Sequence, residues 1–261
     1  QMCIRDSSYY YHYALLSVGG ELMAAFETSL APVSLSPIVM QAVALGVEQD
    51  KITTFLLPVQ ASNHPIYNPS LDYSVYLSQP FFFVLFQVLI LLITVYAVGI
   101  EIKFRTADEW LFVAKGNMVT AVLGKLLPYT IIFILIGWLA NYVMFGILHI
   151  PFQGSWWLIN MITVLFVIAT QALGLFIFSL FPAVSLVISV VSMVGSLGAT
   201  LSGVTFPVSN MYPLVRDASY LFPVRHFTEM IQTMLYGGGG FIYLWPSMVI
   251  LCIFPLLALS L

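Results

Sequence analysis

The residues able to do chemistry are few and scattered. His12, His64, His149 and His226 stand apart along the chain, and no H-E-x-x-H pairs two of them on a helix. Gly124-Lys125 resembles the end of a phosphate-binding loop, but Leu126 follows where Ser or Thr is needed. That route to ATP is closed. There is no G-x-S-x-G and no carboxylate pair inside an apolar run. Cys3 and Cys252 are too few for a disulfide framework or a structural zinc site, and Cys252 reads as a small core residue. The net charge of −3 and the lack of a basic patch exclude nucleic acid as a partner. No metal, cofactor or catalytic constellation is expected in this chain.

Three other residue sets remain. Glu101, Lys103, Arg105, Thr106, Asp108, Glu109 and Trp110 lie in one short charged stretch, 101–116. Thr106 can cap a helix, with Asp108 and Glu109 in the first turn where the helix dipole favours acids. Phe104, Leu111 and Phe112 recur near helical spacing, so the stretch reads as an amphipathic helix on a membrane surface. It is either a solvated connection that sets topology or a docking helix. Ser185, Ser189, Ser192, Ser196, Ala199 and Gly203 are spaced by fours and threes, which puts these small residues on one helical face. Such a stripe serves ordinary helix packing, a subunit interface or a pore wall. Phe206, Pro207, Arg216, Arg225 and Glu229 belong to a Pro- and Gly-punctuated segment, 207–240, that reads as a lid or an outer gate. Pro213 suits a helix start there, and Gly237–Gly240 a helix stop. Asp217 and Glu229 can pair with Arg216 and Arg225.

The elements that position these residues must lie in a bilayer. Of 261 residues, 61% are hydrophobic and 7% charged, with a mean hydropathy of +1.00. Soluble domains carry about 25% charged residues. Leu126 to Val215 contains no Asp, Glu, Lys or Arg, and a soluble helix always has a wet face. Five runs have the length of a span: 81–100, 118–145, 156–181, 184–206 and 241–261. The third and fourth meet in a tight hairpin at Pro182–Ala183. The expected class is an all-α polytopic membrane protein. Lys103, Arg105, Lys115 and Lys125 place the 101–116 connection in the cytoplasm; Lys125 would snorkel to the interface. The 146–155 loop, the 207–240 segment and residues 1–80 then lie outside. Residues 1–80 read as a mixed α/β extracytoplasmic segment, with a strand at Ile52–Val59 and turns over Asn63–Pro69. Spans free of intramembrane carboxylate or histidine argue against a proton-driven carrier. The chain is expected to lack its first span and part of its tail, and residues 1–7 to be foreign.

Several stretches together resemble the membrane subunit of an ABC-2 type ABC transporter, type V exporter-like, with a large extracytoplasmic segment. They are Tyr67-Asn-Pro-Ser-Leu71, Thr106-Ala-Asp-Glu-Trp-Leu111, Gly124-Lys-Leu-Leu-Pro128, Leu201-Ser-Gly-Val-Thr-Phe-Pro207 with Met211-Tyr-Pro213, and Tyr220-Leu-Phe-Pro-Val-Arg-His-Phe227. The likeness covers about residues 60–261. Arg105 stands where the family usually has Gly. The resemblance implies a six-span permease that works as a homo- or heterodimer with two copies of a separate ABC ATPase. ATP and Mg would bind that ATPase, and 101–116 would be the coupling stretch that meets it. The cargo would be amphiphilic or apolar and move outward across the plasma (inner) membrane. The other reading is a membrane scaffold or accessory subunit without transport of its own.

Overall fold

A computed structural model describes residues 7–12, 21, 24–25, 28, 61–66 and 73–259, apart from 151, 153, 182, 205–207 and 237–240. The chain divides into two units, 1–76 and 77–261. In the first, β1 (Ser7–His12) and β2 (Ala61–Ile66) pair in parallel, with Tyr9 opposite Asn63 and Tyr11 opposite Pro65. The turn expected from Asn63 is therefore strand as far as Ile66; pairing with β1 overrides the local preference. A parallel pair needs a crossover between its strands. The strand predicted at Ile52–Val59 lies outside the described residues.

The second unit is helical. In order come α1 (Tyr73–Lys103), α2 (Ala107–Val113), α3 (Met118–Asn141) running on into a π-helical turn (Tyr142–Ile147), α4 (Trp156–Leu180) and α5 (Val184–Leu201). A 3₁₀ turn (Val208–Asn210), α6 (Pro213–Ser219), α7 (Pro223–Tyr236) and α8 (Phe241–Leu259) follow. Among the described residues, four helices are long and apolar enough to cross a membrane: Leu77–Lys103, Met118–Ile147, Trp156–Leu180 and Val184–Leu201. The apolar part of α8, Phe241–Leu256, is shorter than these. At ~1.5 Å per residue the 31 residues of α1 reach ~46 Å, more than a hydrocarbon core of ~30 Å. Glu101 and Lys103 thus belong to the end of α1, not to a helix of their own. The fourth predicted span is cut back from 206 to Leu201, because the chain leaves the helix through Gly203 at φ +86°.

The spans divide into a central and a peripheral pair. More than half of α1 and α4 is buried in the protein, against about a fifth of α3 and α5. Apolar surfaces do not drive helices together in lipid, so close approach and polar bonds must do so. Gly198 on α5 leaves room for Gln87 on α1, and Gly137 on α3 for Thr163 on α4; a Cβ at either would lie under 3 Å from those side chains. Asn141 donates to Thr163 at 3.0 Å, and Thr130 donates to Gln171 at 2.8 Å, tying α3 to α4 at two levels. Near the Leu77 end, Phe83 stands edge-on to Phe166 of α4, with both rings against Phe227 of α7. Towards the Lys103 end, Leu91, Val95 and Val98 pack with Ile177, Phe178, Val187 and Val191. Cys252 is exposed rather than a core residue.

Replacing Gly198 by Val would drive a side chain into the Gln87 amide. Overpacking of that kind costs about 1–3 kcal/mol. The Gly198→Val variant should show a lower unfolding midpoint in detergent than the exposed control Leu197→Val.

Candidate functional site

Two side-chain clusters involve α1, one at its Lys103 end and one near its middle, at Gln87. The first is at its Lys103 end. Glu101 pairs with Lys125 of α3 and accepts a hydrogen bond from the Thr106 hydroxyl. The Lys125 ammonium also lies 5.4 Å from the centre of the Trp110 ring on α2. One carboxylate therefore holds three elements together. Both charged side chains are only about a fifth exposed (19% for Lys125, 21% for Glu101), so solvent screens the pair less than a surface bridge. Trp110 in turn packs on the core of α1, α4 and α5.

This geometry revises three sequence readings. Thr106 does stand at the N-cap of α2, but it makes no side-chain cap; its hydroxyl turns back to Glu101. Lys125 is paired rather than a free snorkelling cation. The amphipathic helix shrinks to Ala107–Val113, and none of its residues is fully buried. Asp108 and Glu109 are in its first turn and exposed, as are Lys103 and Arg105. Phe112 and Val113 project further than anything predicted, at 84% and 82% exposure. Lys125 went unnoticed as a partner because 24 residues separate it from Glu101.

The turn between α1 and α2 follows a Schellman pattern. Thr106 N–H donates to Glu101 O at 2.9 Å, and Arg105 N–H to Ile102 O at 3.2 Å. Arg105 has φ +58°, the left-handed conformation that such a turn reserves for glycine. A second such turn ends α2 at Lys115, with φ +55°. Here Gly116 N–H donates to Leu111 O, and Lys115 N–H to Phe112 O. Both left-handed residues are basic, and their charges oppose the negative ends of the helices they close.

The second cluster surrounds α7. Gln87, ten residues past Leu77, accepts a hydrogen bond from Val224 N–H at 2.9 Å. A side chain of α1 thus satisfies an orphan amide at the start of α7. Residues 222–228 are all buried. The expected surface lid is, in this part, a helix packed among α4, α5 and α8. Arg225 pairs with Glu229 at 3.2 Å, and Ser247 of α8 donates to the same carboxylate oxygen at 3.1 Å. Arg225 also lies over the Tyr220 ring at 5.7 Å. His226 is fully buried, with Nε2 3.0 Å from Tyr220 O. Arg216 pairs with Asp217 on the exposed helix α6, at 3.7 Å. Phe206 and Pro207 lie outside the described residues. Gln87 escaped sequence reading because it is one amide in an apolar run.

The small-residue stripe does not pack inside the chain. Ser185, Ser189, Ser192 and Ser196 are exposed, and Ala199 is half-buried. Val187, Val191, Gly195 and Gly198 form the buried face instead. Ser189, Ser192 and Ser196 hydrogen-bond their own helix backbone. Gly203 lies beyond the helix end and does not continue the stripe. Among the described residues, no group of His, Cys, Asp and Glu can hold a metal ion.

Residues 6–261 match the family described as ABC-2 family transporter protein. The inner membrane transport permease YhhJ of Escherichia coli K12 is 30% identical over 109 residues, 41% of this chain and 28% of that protein. The probable multidrug ABC transporter permease YbhS of the same strain is 27% identical over 52% of this chain and 36% of its own length. The probable multidrug ABC transporter permease YbhR, also of that strain, is 24% identical over 74% and 51%. The chain thus spans about half or less of each of these relatives. No solved structure matches.

The left-handed turn residue yields a direct test. Left-handed φ costs a residue with a Cβ roughly 1–2 kcal/mol, and glycine avoids this cost. Arg105→Gly should raise the unfolding midpoint. Arg105→Ala, which keeps the Cβ and loses the charge, should not. Thermal unfolding of both variants in one detergent checks this.

Proposed function

The chain belongs to the ABC-2 transporter family, and from that premise we propose that it is the permease subunit of an ATP-driven exporter, with α2 as its coupling helix. The observation that carries this reading is the Glu101–Lys125–Trp110 cluster. A docking helix transmits force only if it is fixed to the spans it must move. Here α2 is bound through Trp110 and Thr106 to the ends of α1 and α3. A separate ATPase would bear on the exposed Asp108, Glu109, Phe112 and Val113. Two such ATPase subunits would drive two permease chains, as a homodimer or heterodimer.

In this reading the four basic residues beside α2 set that end of the spans in the cytoplasm. Residues 1–80, α6 and α7 are then on the outer side, and α8 serves as the last span. The chain itself supplies no catalytic site, so ATP and Mg act in the partner. ATP binding favours one arrangement of α2, and the spans change their affinity for cargo with it. A motor that bound both states equally would move nothing. The exposed serine face of α5 suits the wall of a path between two permease chains. Relatives named as probable multidrug permeases support an amphiphilic or apolar cargo, moved outward across the inner membrane.

The test is a charge reversal on α2. The variant Asp108→Lys with Glu109→Lys should copurify with the ATPase at least tenfold less well than the native chain. ATP turnover stimulated by the permease should fall in proportion. Unchanged association and turnover would overturn the coupling role of α2.

A further inference from the structure

Glu229 is the one exposed side chain between Phe222 and Ile231. Its side chain is 45% exposed, whereas the Arg225 side chain behind it is 8% exposed. Their depth is fixed by neighbours on three helices. Arg225 follows Val224, whose amide meets Gln87, about 15 Å along α1 from Leu77. Glu229 meets Ser247, about 9 Å along α8 from Phe241. Phe227, between them, packs on Phe83 and Phe166. The ion pair is therefore alongside the spans, not above them. A carboxylate at that depth does not face acyl chains; intramembrane charges face a protein interior or a water-filled path.

The arrangement also sets the sign of charge that a solute would meet. Arg225 is turned inward, held by Glu229 and stacked over Tyr220. Ser247 donates its hydrogen bond to the carboxylate, leaving no exposed donor there from that hydroxyl. What points outward from the helix is an acceptor. Resting on the exporter reading above, we propose that Glu229, oriented by Arg225 and Ser247, lines an aqueous path in the outer half of the bilayer and binds the cationic head of an amphiphilic cargo. A positive group adds to the carboxylate's partners without displacing Arg225, whereas an anion would have to displace Glu229 to reach the guanidinium.

Two measurements on the full permease–ATPase complex test this. The first needs no transport. With Cys3 and Cys252 changed to Ser, Glu229→Cys in native membranes should react with a charged, membrane-impermeant methanethiosulfonate at least tenfold faster than Leu135→Cys on α3. Thr233→Cys, one turn on, reports the same face if Glu229→Cys does not fold. Rates equal to Leu135→Cys in both would overturn the aqueous path. The second compares binding of a long-chain quaternary ammonium with the uncharged alcohol of the same chain length. Glu229→Gln should weaken binding of the ammonium at least tenfold and leave the alcohol unchanged. Equal loss for both, or none, would overturn cation selection. ATPase association is measured in the same samples, so loss of the complex would count against the exporter reading instead.

Discussion

Within a bilayer a helix end needs a donor's partner as much as it needs apolar neighbours, and Gln87 supplies one. Its carbonyl oxygen takes the amide of Val224 at 2.9 Å, and its amide nitrogen lies against Gly198. Without Gln87 that amide would be buried in the protein with no acceptor. With that amide satisfied, Phe227 can seat between Phe83 and Phe166, and Arg225 and Glu229 come to rest beside the spans. The room for Gln87 depends on α5 having no side chain at Gly198. Thus α1, α5 and α7 share one contact, and much of the second unit's arrangement follows from it.

The same helix carries the other tie. At its far end Glu101 binds Lys125 and Thr106, and so secures α2 and α3. α1 is therefore a rod with α7 bound partway along it and α2 at its end. In the proposed exporter this links the ATPase face to the cargo face through one central helix. No proton relay within the spans is required for such a linkage. The peripheral α3 and α5 have most of their surface free of the chain, available to lipid or a second subunit.

Much of the architecture was legible because lipid imposes simple rules. Runs such as Phe81–Ile100 and Trp156–Phe181 have no alternative to forming helices once they lie in hydrocarbon. Pro213 opens α6 as the punctuation predicts. Helix ends were less legible. α1 runs on through Lys103 because Glu101 finds a partner in Lys125, which no local pattern reveals. α5 stops at Leu201 because the chain turns at Gly203. The serine stripe shows the limit of periodicity: spacing identifies residues that share a face, but not which face is buried.

The sequence by itself determined the solvent, the presence of span-length runs, the charged connection and the family likeness. These depend on composition and short-range order, which are one-dimensional quantities. Only the tertiary structure decided that Lys125 serves Glu101, that Gln87 holds α7, and that Glu229 is exposed beside the spans rather than above them. Each of these joins residues far apart in the chain. Apolar burial is weakly directional in lipid, so a few polar bonds and close glycine contacts select the arrangement, and their partners exist only once the helices are side by side.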